Sequence, residues 1–158
     1  MTFSVTQTIV QLNSDSNWYK AIIFTAFVSL VGFVLSKIIN FALRLREKIY
    51  EVQDQLIYYS REITAPGVMK EEKIRQAEDE LRRLSTSLRA AADAVILYPI
   101  FKPILPPKGN IKEACRLLIG LHNSLRPLRD ELTQEIGSQN RKNYLKIGSL
   151  LGISLKDE

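Results

Sequence analysis

The chain has 158 residues, 46% of them hydrophobic and 25% charged, which excludes a globally disordered polypeptide and suits one compact domain rather than two. Its net charge of +5 suits an anionic partner, a membrane surface or a nucleic acid. A single cysteine, Cys115, excludes an intrachain disulfide and any zinc site built from several thiolates.

Residues 1–17 form a short polar head, expected to be flexible and extra-cytoplasmic. From Ala21 to Ser36 no charge occurs, and Lys20 and Lys37 flank the run. Because terminal lysines can snorkel, residues 18–39 are long enough to cross a bilayer, with Trp18 and Tyr19 as interfacial anchors. The segment is apolar on every face, unlike an ordinary amphipathic helix. No positive charge precedes it beyond the amino terminus and Lys20, so it reads as an anchor rather than a cleaved signal. Lys37, Arg44, Arg46 and Lys48 follow it, which puts the C-terminal part in the cytoplasm by the positive-inside rule. Within the span Thr25, Ser29, Gly32 and Ser36 make a small-residue stripe suited to packing against another span.

Beyond the span, apolar residues recur at alternating spacings of three and four. One series is Ile38, Ala42, Leu45, Ile49, Val52, Leu56, Tyr59 and Ile63. A second is Ile74, Ala77, Leu81, Leu84, Leu88, Ala91, Val95 and Tyr98. A third is Ile111, Ala114, Leu118, Leu121, Leu125, Leu128 and Leu132. Such spacing makes one narrow stripe per helix, the pattern of coiled coils and bundles. The expected fold is therefore all-α: an N-terminal transmembrane helix continuing into an antiparallel three- to four-helix cytoplasmic bundle over residues 40–152. Its helices are predicted at about 40–63, 69–98, 110–136 and 140–151, with a tail at 153–158. Pro66 and Gly67 mark the first turn, Asn110 a helix cap, and Gly137 with Ser138 the break before the last helix. Pro127 should kink the third helix. Ion pairs are expected at Glu71–Arg75, Glu78–Arg82 and Asp79–Arg83.

The segment YPIFKPILPPKGN, residues 98–110, holds four of the six prolines among large apolar residues. It is too apolar for a solvent loop and too rich in proline for a helix. Counting outward from the turn at Pro66 and Gly67 brings it back to the inner edge of the span. Tyr98, Ile100, Phe101, Lys102, Ile104 and Leu105 are therefore expected at the membrane interface. The apolar side chains would insert shallowly, and Lys102 and Lys108 would meet anionic headgroups. The competing reading has the same apolar residues cap the end of the bundle core.

Catalytic and cofactor patterns are sparse. His122 is the only histidine, and no metal-ligand spacing surrounds it. The polar His122, Asn123 and Ser124 interrupt an apolar helix, marking a register-fixing contact or a partner-facing patch. Neither phosphate-loop glycine pattern occurs, and Gly148 with Gly152 forms only a weak G-x-x-x-G. Basic residues are spread among acidic ones, so nucleic acid is not the expected partner. The letters RRLS at 82–85 resemble a kinase site only superficially. An enzyme would need a cavity lined by Arg116, His122 and Arg126.

The expectation is a non-catalytic, single-pass anchored helical module, without cofactor or metal, at the inner leaflet of the plasma membrane. It would act through membrane lipid and an unidentified protein or copies of itself. The alternative is an oligomerising effector that perturbs the bilayer.

Overall fold

A computed structural model describes the backbone of residues 4–65, 70–125 and 133–155, and the side chains of 18–65, 70–125 and 135–155. The turn expected at Pro66 and Gly67, the kink at Pro127, and Arg126, Leu128 and Leu132 lie outside the described residues. The described chain is all-helical, without strands. The α-helices are α1 (Ser4–Tyr58), α2 (Ser60–Thr64), α3 (Glu71–Ala94), α4 (Lys108–Ser124) and α5 (Thr133–Leu151), with a 3₁₀ turn at Tyr98–Phe101. The chain divides into two compact units, Met1–Ile39 and Asn40–Glu158.

In the first unit the backbone is helical from Ser4. Residues 18–37 are all exposed. The helical stretch Trp18–Tyr58 contains a window long and apolar enough to cross a membrane, and none of that window is buried. A core helix of the same composition would be mostly covered by its own protein. Thr25 donates its hydroxyl to the carbonyl of Ala21 at 2.8 Å, so its polar atom is satisfied within the helix.

In the second unit the apolar stripes converge on one core. Ala42, Leu45, Ile49, Val52 and Leu56 of α1 are buried with Ile63 of α2, Ala77, Leu81, Leu84 and Leu88 of α3, and Ile111, Ala114, Leu118 and Leu121 of α4. Tyr144, Ile147 and Leu151 of α5 complete it. This is the set that three-four spacing selects, because residues so spaced share one side of a helix.

Polar pairs fix the helix directions. Along α3 and α4, Glu78 meets His122, Ser85 meets Cys115, and Asp93 meets Lys108, so one number falls as the other rises and the helices are antiparallel. Glu51 of α1 pairs with Arg83 of α3 at 2.6 Å, Glu51 preceding Thr64 by as many positions as Arg83 follows Lys70. On that register the end of α3, near Ala92, is level with the start of this unit, near Ala42, and both alanines are buried. Asn140 of α5 reaches the carbonyl of Ile63, and Gln53 reaches the carbonyl of Ser154, so α5 runs antiparallel to α1 and stops partway along it.

Several helix ends differ from the sequence expectation, each for a local reason. Helix α3 stops at Ala94 instead of reaching Tyr98, and Val95 is extended. The ring of Pro99 would collide with the carbonyl of Val95 in a continuing helix. Helix α4 begins at Lys108, directly after Pro107, and no side chain caps it. Asn110 thus lies inside the helix, its amide bonded to the carbonyl of Pro107 at 2.9 Å. Gly137 and Ser138 do not separate two helices; both lie inside α5. Among the described residues no other helix meets a Cβ built on Gly148 or Gly152. Gly152 has a φ of 67°, and the amides of Gly152 and Ile153 bond back to Ser149 and Gly148, so the pair forms a Schellman cap. The Leu155 side chain then lies within about 3 Å of where a Cβ on Gly148 would be.

Candidate membrane-contact site

The proline-rich segment joins α3 to α4 at the end of the second unit where α1 enters. Its two flanks are tied together. The Tyr98 hydroxyl donates to the carbonyl of Pro106, and Lys108 pairs with Asp93 at 3.0 Å. Burial pushes the Tyr98 phenol above its ordinary pKa, and the hydrogen bond from Lys108 holds the Asp93 carboxyl below its own. Three amides bond within the segment. Ile100 donates to Leu97, and both Ile104 and Leu105 donate to Phe101, at 2.9–3.0 Å. Prolines 99, 103, 106 and 107 have no N–H to satisfy.

The apolar residues of this segment sort into two sets. Leu105 is 4% exposed and belongs to the core, with Tyr98 and Phe101 packed partly against it. Leu105 therefore corrects the expectation of insertion: it caps the core. Ile100 is 65% exposed and Ile104 60%, and Lys102 is exposed beside them. Ile96 and Leu97, which the sequence reading left inside a helix, are exposed as well. Their signal was available in Pro99, whose reach back to residue 95 frees both from α3. The outward set is thus Ile96, Leu97, Ile100 and Ile104, with one cation.

Elsewhere in the first unit, Trp18 and Tyr19 are exposed neighbours with ring centroids 3.9 Å apart. Thr25, Ser29, Gly32 and Ser36 are all exposed, and a Cβ on Gly32 would meet nothing within 4 Å.

The polar interruption of α4 is spent inside the chain. His122 is buried, and its Nδ1 lies 2.9 Å from the carbonyl of Glu78, which only accepts, so Nδ1 carries the proton. Ser124 Oγ stands 2.7 Å from both the Leu121 carbonyl and Asn140 Oδ1, and Asn140 Nδ2 donates to Ile63. Asn123 alone of the three is exposed. This is the geometry of a contact that fixes helix register. Asn140 sits 1% exposed at its centre and escaped the sequence reading, which placed it at a helix start.

Of the residues named for chemistry, Arg126 lies outside the described residues. Arg116 is exposed and paired with Glu113 at 2.9 Å, whereas His122 is buried. Ser85, the serine of the RRLS letters, is buried and donates to the Cys115 carbonyl. Burial raises the pKa of the Cys115 thiol. Arg83 pairs with Glu80 and Glu51 in place of Asp79, while Glu71–Arg75 forms as expected. Among the described residues no three His, Cys, Asp or Glu side chains gather as a metal site. Comparison with protein-family models, with curated proteins and with solved structures finds no match, so only the chain's own geometry bears on its function.

Proposed function

We infer that this protein is a non-catalytic helical module, anchored by residues 18–39, whose second unit rests its proline-rich end on the lipid surface. The observation that carries this reading is an exposed apolar set on a proline-rich backbone, at the end of the unit where α1 enters. Ile96, Leu97, Ile100 and Ile104 project from a segment whose prolines lack N–H groups and in which the amides of Ile100, Ile104 and Leu105 bond internally. Exposed side chains of this kind are costly in water and suited to a headgroup boundary, where unsatisfied amides would be penalised. Residue 40 is bonded to residue 39, so a bilayer around 18–39 brings that end close to lipid. Exposed Lys102 and Arg44 suit the anionic inner leaflet, with the N-terminus outside. A structural anchor of this design presents the remaining helices to a protein partner or to further copies of the chain.

The test uses the full chain in vesicles containing anionic lipid, with Cys115→Ala and a single dye-bearing cysteine at Ile100, or at Glu72 as a control. Lipid-borne quenchers should dim the dye at residue 100 and leave residue 72 unaffected. Equal, weak quenching at both positions would overturn lipid contact. Release of trapped solutes on insertion would favour the bilayer-perturbing alternative instead.

A further inference from the structure

Helix α1 carries a second stripe besides the one in the core. Leu43, Tyr50 and Ile57 recur every seven residues and are 51%, 46% and 46% exposed. Exposed Arg46 lies between them, its Nε 3.2 Å from the Tyr50 hydroxyl and its guanidinium over the Tyr50 ring at 5.7 Å. At 100° per residue this stripe lies roughly a third of a turn from Ala42, Leu45, Ile49, Val52 and Leu56, so the core does not use it. In sequence the same alternation of four and three runs back through Ile39, Ser36, Gly32, Ser29 and Thr25. All of these belong to α1 and all are exposed.

We propose that this stripe is the seam of a parallel pairing between two copies of the chain. Seven-residue recurrence is what a two-stranded coil requires, because each seam position then meets its own equivalent. Leu43, Tyr50 and Ile57 fall at one seam position, and Ile39, Arg46 and Gln53 at the other, Gln53 being half-buried and bonded to the Ser154 carbonyl of its own chain. Position 46 of one strand is flanked by position 47 of its neighbour. Arg46 therefore meets Glu47 of the second copy, and the charge at the seam is complemented. A second copy satisfies this complementarity by symmetry, whereas an unrelated helix would need an acid placed there independently. The parallel direction rests on the proposed single span, since two copies inserted alike point the same way.

Single cysteines at positions 43, 50, 57, 44 and 112 in the full-length Cys115→Ala chain test this, with a short bis-maleimide in vesicles and in detergent micelles. Leu43→Cys, Tyr50→Cys and Ile57→Cys should each link to themselves at least several-fold more than exposed Arg44→Cys or Lys112→Cys. Leu43→Lys should abolish linkage at position 50, and Arg46→Glu should weaken it while Arg46→Glu with Glu47→Arg restores it. Equal linkage at all five positions, or a sedimenting monomer without linkage, would overturn the pairing. Linkage only between position 43 of one copy and position 57 of another would overturn the parallel seam. Linkage in micelles together with no quenching at residue 100 would retain the seam and reject the lipid-contact reading, so the two fail separately.

Discussion

Gly137 of α5 faces the backbone carbonyl of Thr64 so closely that a Cβ there would stand 2.5 Å from the oxygen. No flexible side chain is available to move aside, so α2 and α5 can approach only with glycine at this position. Gly137→Ala should separate them and cost about 1–3 kcal/mol, the range for overpacking. Gly120, in α4, is exposed and would meet nothing within 4 Å. Gly120→Ala should stabilise by roughly 0.5–1 kcal/mol through helix propensity. Denaturant unfolding of both variants in micelles checks the pair, and equal effects would remove the packing role given to Gly137.

Asn140 joins three helices through one amide. Its Nδ2 holds the Ile63 carbonyl at 2.9 Å, and its Oδ1 meets Ser124 at 2.7 Å. Asn140→Ala leaves a buried carbonyl unpaired and should cost about 2–4 kcal/mol. Ser124→Ala should cost about 1 kcal/mol, and the double variant less than the two together, because they share one bond. Strict additivity in the unfolding free energies would mean that the two residues act independently.

How much of this was legible beforehand follows from where a repeat exists. Leu45, Val52, Leu81, Leu118 and Ile147 were readable as core because helical period alone selects a face, and all five are essentially fully buried. The proline segment has no period, so nothing in its spacing could tell inward Leu105 from outward Ile104, its chain neighbour. Glycine was misread in the opposite sense. Gly137 looked like a break because glycine disfavours helix, yet tertiary contact with Thr64 overrides that preference. The Asn140 network joins residues far apart in sequence, and no local pattern announces it. The second stripe on α1 was half visible: its small residues stood out, but Leu43, Tyr50 and Ile57 gain meaning only once the core is seen to exclude them.

Gly152 closes α5 with a φ of 67°, a conformation that strains any side chain with a Cβ. Its Schellman bonds turn the chain so that the Ser154 carbonyl accepts from Gln53 of α1 at 3.0 Å. Gly152→Ala should cost about 1–2 kcal/mol and raise hydrogen exchange at residues 152–155. Gln53→Ala should raise the same exchange with a smaller stability loss. Unchanged exchange in both would show that the tail is not held by these contacts.

The pairing of Glu51 with Arg83 ties α1 to α3, and its charge should be visible in acid. The hydrogen bond from Lys48 at 2.5 Å, with Arg83 at 2.6 Å, holds the Glu51 carboxyl below its usual value of 4.5. A depressed carboxylate pKa favours the folded state when the group is ionised. Its contribution is therefore complete above the ordinary glutamate value and is lost as pH falls through the lowered one. Both partners retain solvent contact, so the effect is about 1 kcal/mol or less at neutral pH. Wild type should exceed Glu51→Gln in melting temperature at pH 7, with the gap closing as pH falls below the ordinary glutamate value of 4.5 and through the lowered one. It should also shrink in high salt, since exposed pairs are screened. A gap that stays constant across pH would assign the role of Glu51 to hydrogen-bond acceptance rather than to charge, because the amide nitrogen of glutamine cannot accept from Lys48 or Arg83.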